Sequence, residues 1–158
     1  MPIEVELRPV QESDIAIFHA QEGDAQARWM AAFTAAEPPD PAAFAARMAR
    51  LLADPSIVMQ TILADGQVAG SIARYVKDGA PEVTYGLGRE YWDRGIATRS
   101  LALFLTQAQE RPLFARAAAD NIGSLRVLQK CGFVIYGEEN GFAAARAQEI
   151  REYMLRLD

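Results

Sequence analysis

Residues Val83 to Leu105, VTYGLGREYWDRGIATRSLALFL, decide the fold. They read as a strand, then a turn formed by Arg94, Gly95, Ile96, Ala97 and Thr98, then a helix. Apolar residues at Ala97, Leu101, Phe104, Leu105 and Ala108 recur at helical spacing, so one face of that helix packs inward. Gly95 carries no Cβ and lets the backbone turn tightly just before the helix. The first amides of such a helix point outward, unpaired, at the positive end of its dipole. That suits a phosphate or pyrophosphate. No Gly-Lys-Ser/Thr follows the turn and no GxGxxG is present, so neither a P-loop nor a dinucleotide fingerprint applies.

Upstream of this stretch, Val5 to Val10 reads as a first strand. Ser13 is placed to cap a short helix through His19, with Asp14 in its first turn. Trp29, Met30 and Phe33 lie in an Ala-rich stretch that reads as helix or loop. The run Glu-Pro-Pro-Asp-Pro at 37–41 is a break, after which Asp40 caps and Pro41 opens a helix. Its apolar stripe is Phe44, Met48, Leu51 and Leu52, and Pro55 closes it. Ile57 to Ala64 and Gln67 to Val76 are strands around Asp65-Gly66, a strong hairpin signal. Glu82 to Leu87 is the strand that feeds the central turn.

Downstream, Pro112 to Ala118 is a further strand. It is reached by crossover of the central helix and is therefore parallel to its predecessor. Asn121 to Cys131 forms a helix that Gly132 ends. Phe133 to Glu138 and Glu149 to Leu157 are the last two strands, joined by a loop containing Ala and Gly. The expectation is one α/β domain over residues 1–158, a mixed sheet with helices on both faces.

Composition narrows the function. Hydrophobic residues make up 51% and charged residues 23%, the balance of an ordinary globular protein. No apolar run reaches the roughly 18 residues of a membrane span, and MPIEVELRP has no apolar core of a signal peptide. Cys131 is the only cysteine, which excludes an internal disulfide and suits a reducing cytoplasm. A net charge of -5 without a basic cluster argues against nucleic acid. His19 stands alone without a ligand pattern around it, so neither a metal site nor a Ser-His-Asp triad is expected.

The central turn resembles the phosphate-binding turn of the GNAT N-acetyltransferases, Gln/Arg-x-x-Gly-x-Gly/Ala, with Gly95 and Ala97 in its last two named places. Trp92 stands where Gln or Arg would be, as in the ribosomal-protein N-acetyltransferase branch, whose turn looks like YWGKGIAT. Residues 121–133, NIGSLRVLQKCGF, resemble that family's N-x-x-S-x-x-V-L-x-K-x-G-F. The likeness covers nearly the whole chain. It implies the acyl-CoA N-acyltransferase fold, whose mainly antiparallel sheet splays after the strand Glu82 to Leu87. The implied activity is direct acetyl transfer from acetyl-CoA to a primary amine in a ternary complex. The acceptor is left open between a small molecule and a peptide N-terminus. No metal is implied, and a monomer and a homodimer are both open. The alternative is a non-catalytic acyl-CoA-binding module on the same fold.

The resemblance also implies residue roles. Arg94, Gly95, Ile96, Ala97 and Thr98 would cradle the pyrophosphate, and Leu87 and Asn121 would meet the pantetheine. Gly86 and Gly88 suit a bulged, closely approached backbone, or are plain turn glycines. Glu82 would drain the amine's proton, or else is a solvated strand carboxylate. Ser124 would sit near the thioester sulfur as a cofactor contact and hydrogen-bond donor to the departing thiolate, although Ser needs no function in a first turn. Leu128 occupies the place where many relatives carry a tyrosine acid. Trp29, Phe33 and Tyr85 would line the acceptor pocket, with buried packing as the alternative. Cys131, on the apolar stripe with Leu125 and Leu128, reads as core rather than nucleophile.

Overall fold

The computed structural model describes residues 2–158. Seven strands form one sheet in the order β1-β2-β3-β4-β5-β7-β6, where β1 is Val5–Pro9, β2 Val58–Ala64, β3 Gln67–Lys77, β4 Ala80–Leu87, β5 Leu113–Ala118, β6 Val134–Ala143 and β7 Gln148–Leu157. Every neighbouring pair is antiparallel except β4 and β5, which run parallel as the crossover reading requires. That crossover is helix α4, Ile96–Gln107.

Helices cover both faces. On one face α4 and α5 (Ile122–Lys130) bury Leu101, Phe104, Leu125 and Leu128 against Ile62, Ile72, Val83, Leu113 and Leu155. On the other, α1 (Glu12–Glu22) and α3 (Pro41–Ala53) close over Met59 and Val68 through Phe18, Phe44 and Met48. A short α2, Ala25–Ala31, packs toward the β5–β6 end through Ala32, Ala118 and Ala143. Alternation along β4 therefore sends Val83, Tyr85 and Leu87 toward α4 and α5, and Glu82, Thr84 and Gly86 toward α1 and α3.

Local signals explain most boundaries. Asp40 Oδ1 accepts from the Ala43 amide at 2.8 Å and Pro41 opens α3, as expected. Asn121 Oδ1 accepts from the Ser124 amide at 3.2 Å and caps α5. Three readings are corrected. Helix α1 starts at Glu12 and runs to Glu22, so Ser13 is inside it. Asp14, not Ser13, accepts from the Gln11 amide, at 2.8 Å, and its carboxylate also holds Arg8 and Thr61. Leu52 falls off the α3 stripe and is exposed, while Phe44 and Met48 carry the burial. Strand β6 continues to Ala143 because Glu139 to Ala143 pair with Gln148 to Glu152, leaving a short turn at 144–147 where a longer loop was expected. Tertiary pairing overrides the weak strand propensity of Asn140 and Gly141 there.

Candidate active site

Helix α4 begins at a backbone turn, not at a side-chain cap. Gly95 is left-handed at φ 76 and Asp93 at φ 59. No side chain caps α4, so the amides of Ile96, Ala97 and Thr98 keep their donors for a ligand. A Cβ built on Gly95 would meet nothing within 4 Å. Arg94 is exposed beside the turn and pairs with no carboxylate among the described residues. This arrangement fits an anionic group such as a pyrophosphate.

The strand feeding the turn leaves its neighbour early. Between β4 and β5 a single residue pair, Glu82 with Phe114, makes the parallel ladder. Beyond it the β5-facing edge of Thr84 to Leu87 has no strand partner. Such an edge can accept an extended amide chain as an added strand. On the opposite side β3 holds β4 closely, because Gly70 pairs with Leu87 and a Cβ on Gly70 would lie 1.9 Å from the Gly86 carbonyl oxygen. Trp92 donates from Nε1 to the Leu87 carbonyl at 3.0 Å, which ties the turn to the end of the strand. That is the contact made by the residue standing where Gln or Arg would be.

Tyr85 and Ser124 meet at this divergence. The Tyr85 hydroxyl lies 3.0 Å from Ser124 Oγ and 3.3 Å from the Ser124 carbonyl, to which it donates. Burial pushes the Tyr85 phenol up to about 12, although the bond to Ser124 works in the opposite direction. Tyr85 is thus a neutral donor near pH 7. Asn121, one turn before Ser124, donates from Nδ2 to the Met30 carbonyl at 3.3 Å and links α5 to the end of α2. Cys131 packs against the same core with Sγ 3.6 Å from the Thr98 carbonyl, and burial raises its thiol.

Glu82 takes the other face. Its carboxylate is buried, accepting from the Tyr75 hydroxyl at 2.6 Å and from Arg116 Nε at 3.1 Å. Arg116 also reaches Glu139 at 2.7 Å and Glu152 at 3.4 Å. The five side chains come from β3, β4, β5, β6 and β7 and cross the splay as one polar ladder. Burial and the bond to Glu82 both raise the Tyr75 phenol.

A cleft of about 360 Å³ opens on the α1–α3 side, bordered by Thr84 to Leu87 of β4 and by Phe18, Glu22, Arg28, Thr34 and Arg47. Tyr85 also borders it, but its hydroxyl faces Ser124. Trp29 and Phe33 stand outside this lining. Trp29 is exposed under the Arg146 guanidinium, 4.9 Å from its ring, and Arg146 itself is held by Asp120. Phe33 packs with Ala32 and Ala143 near Gly141. Sequence reasoning missed Arg28, Thr34, Glu22 and Arg47. None lies in a motif, and only the fold of α1 to α3 gathers them.

The family model for the acetyltransferase (GNAT) domain matches residues 4–134. The chain belongs to the GNAT acetyltransferase family. It is an acetyltransferase that draws on acetyl-CoA. No curated protein matches its sequence. Solved structures similar to this GNAT domain include a protein provisionally described as a phosphinothricin N-acetyltransferase, at 22% identity, TM-score 0.81 and 98% coverage of both chains. Spermidine N-acetyltransferase from Vibrio cholerae, solved with CoA and spermine, matches at 16% identity and TM-score 0.80 over 96% of this chain and 95% of that one. Mycobacterium smegmatis RimJ, solved with CoA-disulfide, matches at 19% identity and TM-score 0.79 over 99% of this chain and 85% of that one. At these identities the likeness speaks for the fold. Among the described residues of this GNAT domain, no group of three His, Cys, Asp or Glu gathers to hold a metal ion, and no helix is long and apolar enough to cross a membrane.

Proposed function

We propose that the chain transfers acetyl directly from acetyl-CoA to a primary amine, with both substrates bound at once. One observation carries this reading: the unpaired edge of β4 at residues 84–87 borders the Gly95 turn and Ser124 on one side and the α1–α3 cleft on the other. A donor bound along the edge and an acceptor in the cleft would meet at the strand. Space supports it, since a Cβ on Gly86 or Gly95 would meet nothing within 4 Å.

Ile96, Ala97 and Thr98 would hold the pyrophosphate through their amides, Arg94 would add charge, and Leu87 and Asn121 would flank the pantetheine. Acetyl-CoA supplies a thioester carbonyl to which the neutral amine nitrogen bonds as the C–S bond breaks. In the reacting state the Tyr85 hydrogen would turn from the Ser124 carbonyl to Ser124 Oγ, 3.0 Å away, leaving the Ser124 hydroxyl to donate to the developing thiolate. A phenol near 12 is far weaker as an acid than a thiol near about 8.5, so this pair stabilises charge and does not transfer a proton outright. The amine's proton passes to water in the cleft. Glu82 is a positioning residue in this scheme, because Tyr75 and Arg116 occupy its carboxylate and it pairs with Phe114 at the point where the strands part.

The test is thiol release from acetyl-CoA with a panel of amines, beside the mass of each product. Amine-dependent release with an acetylated amine supports the reading. Tight coenzyme A binding without release under any amine would leave a binding module.

A further inference from the structure

Arg28 lines the cleft, is 7% exposed, and has no carboxylate partner among the described residues. One of its terminal nitrogens, Nη2, donates to the Ala35 carbonyl; the other, Nη1, is buried with no partner at all. A buried cation left this way is costly. The Thr34 hydroxyl, bordering the same cleft, is also buried and unpartnered. Arg47 Nε is likewise buried without a partner, so three residues bordering one cleft each carry an orphaned donor.

The chain bends to produce this. Ala32, fully buried, ends α2 at φ 65 and ψ -51, a positive-φ conformation unusual for alanine. The bend returns residues 33–35 over α2, so that the Ala35 carbonyl meets Arg28. The other charged residues lining the cleft are Glu22 and Arg47, and both Glu22 oxygens accept from Arg47, at 3.0 and 2.8 Å. Arg28 is therefore the uncompensated charge, and the cleft carries a net positive one. A polycationic amine would be repelled there.

We infer that Arg28, with Thr34, reads an anionic group on the acceptor, so that the amine acetylated is a small amino acid whose carboxylate seats on the free Arg28 nitrogen. A carboxylate supplies the acceptor oxygens that Arg28 Nη1 and the Thr34 hydroxyl lack, in a charge-assisted bond. The volume of about 360 Å³ suits a molecule of that size. This inference rests on the proposed acetyl transfer and names its substrate class.

The experiment compares L-amino acids with their own α-carboxamides and with spermidine as acceptors for the full chain at saturating acetyl-CoA. Each acceptor is also titrated into the coenzyme A-saturated protein by thermal shift. The best amino acid should exceed its amide in kcat/KM by about ten- to a hundredfold, and should raise the melting temperature where the amide does not. Arg28→Gln should collapse that ratio toward one, mainly through KM. Thr34→Val, which leaves the Arg28–Ala35 bond in place, should reduce the ratio several-fold and keeps the test alive if Arg28→Gln does not fold. Amides or spermidine serving as well as amino acids would overturn the inference while leaving acetyl transfer intact. Coenzyme A binding with no amino acid bound or acetylated would overturn it as well, and no release with any amine would also remove the proposed function.

Discussion

Removing the two hydroxyls that meet at the splay gives a pattern that a list of independent contacts would not. Ser124→Ala deletes the group placed to donate to the departing thiolate. A hydrogen bond to a charged acceptor is worth about 1.5–3 kcal/mol, or roughly ten- to a hundredfold in rate. Tyr85→Phe deletes the hydroxyl behind it, 3.0 Å from Ser124 Oγ and 3.3 Å from the Ser124 carbonyl. Its bond to Ser124 is neutral and worth about 0.5–1.5 kcal/mol, or roughly two- to tenfold. Because Tyr85 acts through Ser124, the double variant should be no slower than Ser124→Ala alone, and the coupling should equal the whole Tyr85 effect. The assay is single-turnover acetylation at saturating acetyl-CoA, with a coenzyme A titration on each variant to show that affinity is kept. Additive losses in the double variant would refute the relay, and a wild-type rate for Ser124→Ala would leave Ser124 as a helix residue only.

Gly95→Val should weaken coenzyme A binding by about tenfold or more in calorimetry. Left-handed strain costs on the order of 1–2 kcal/mol, within the stability of an ordinary domain, so circular dichroism should show the fold kept. Glu82→Gln should cost about 1–3 kcal/mol in urea unfolding, since Arg116 keeps Glu139 and Glu152, while the pH–rate profile keeps its shape. A deficit at neutral pH that closes as pH rises, where free amine accumulates without help, would make Glu82 a base. Asp14, held down to about 2 first by Arg8 and then by the Gln11 amide and Thr61, against the pull of burial, has a folded pKa below its ordinary 3.8. Its contribution of about 2 kcal/mol is present above pH 3.8 and is lost as pH falls toward 2. Urea midpoints across that window should drop more for wild type than for Asp14→Asn.

What the sequence made legible was local. The Gly95 turn, the Asn121 cap and the Asp40-Pro41 start each depend on residues within a few positions, and all three stand in the structure. The parallel β4–β5 pair followed from a crossover rule. Period-two alternation also puts Glu82 and Tyr85 on opposite faces of their strand, a signal sufficient to separate their roles. What stayed hidden depends on distant partners. Arg116, 34 positions from Glu82, turns that carboxylate into part of a ladder. The gathering of Arg28 with Thr34 depends on a bend at Ala32 that no propensity announces. Trp29 and Phe33 are aromatic and close in sequence to the cleft, yet Arg146 and Gly141, more than a hundred residues on, hold them elsewhere.

Direct transfer across the free edge of β4 is the central claim, and initial-rate kinetics with both substrates varied test it most directly. Intact-mass analysis after exposure to acetyl-CoA alone completes the measurement. Intersecting lines and an unmodified protein are the predicted result. Parallel lines, with one acetyl group found on the chain before any amine is added, would contradict it.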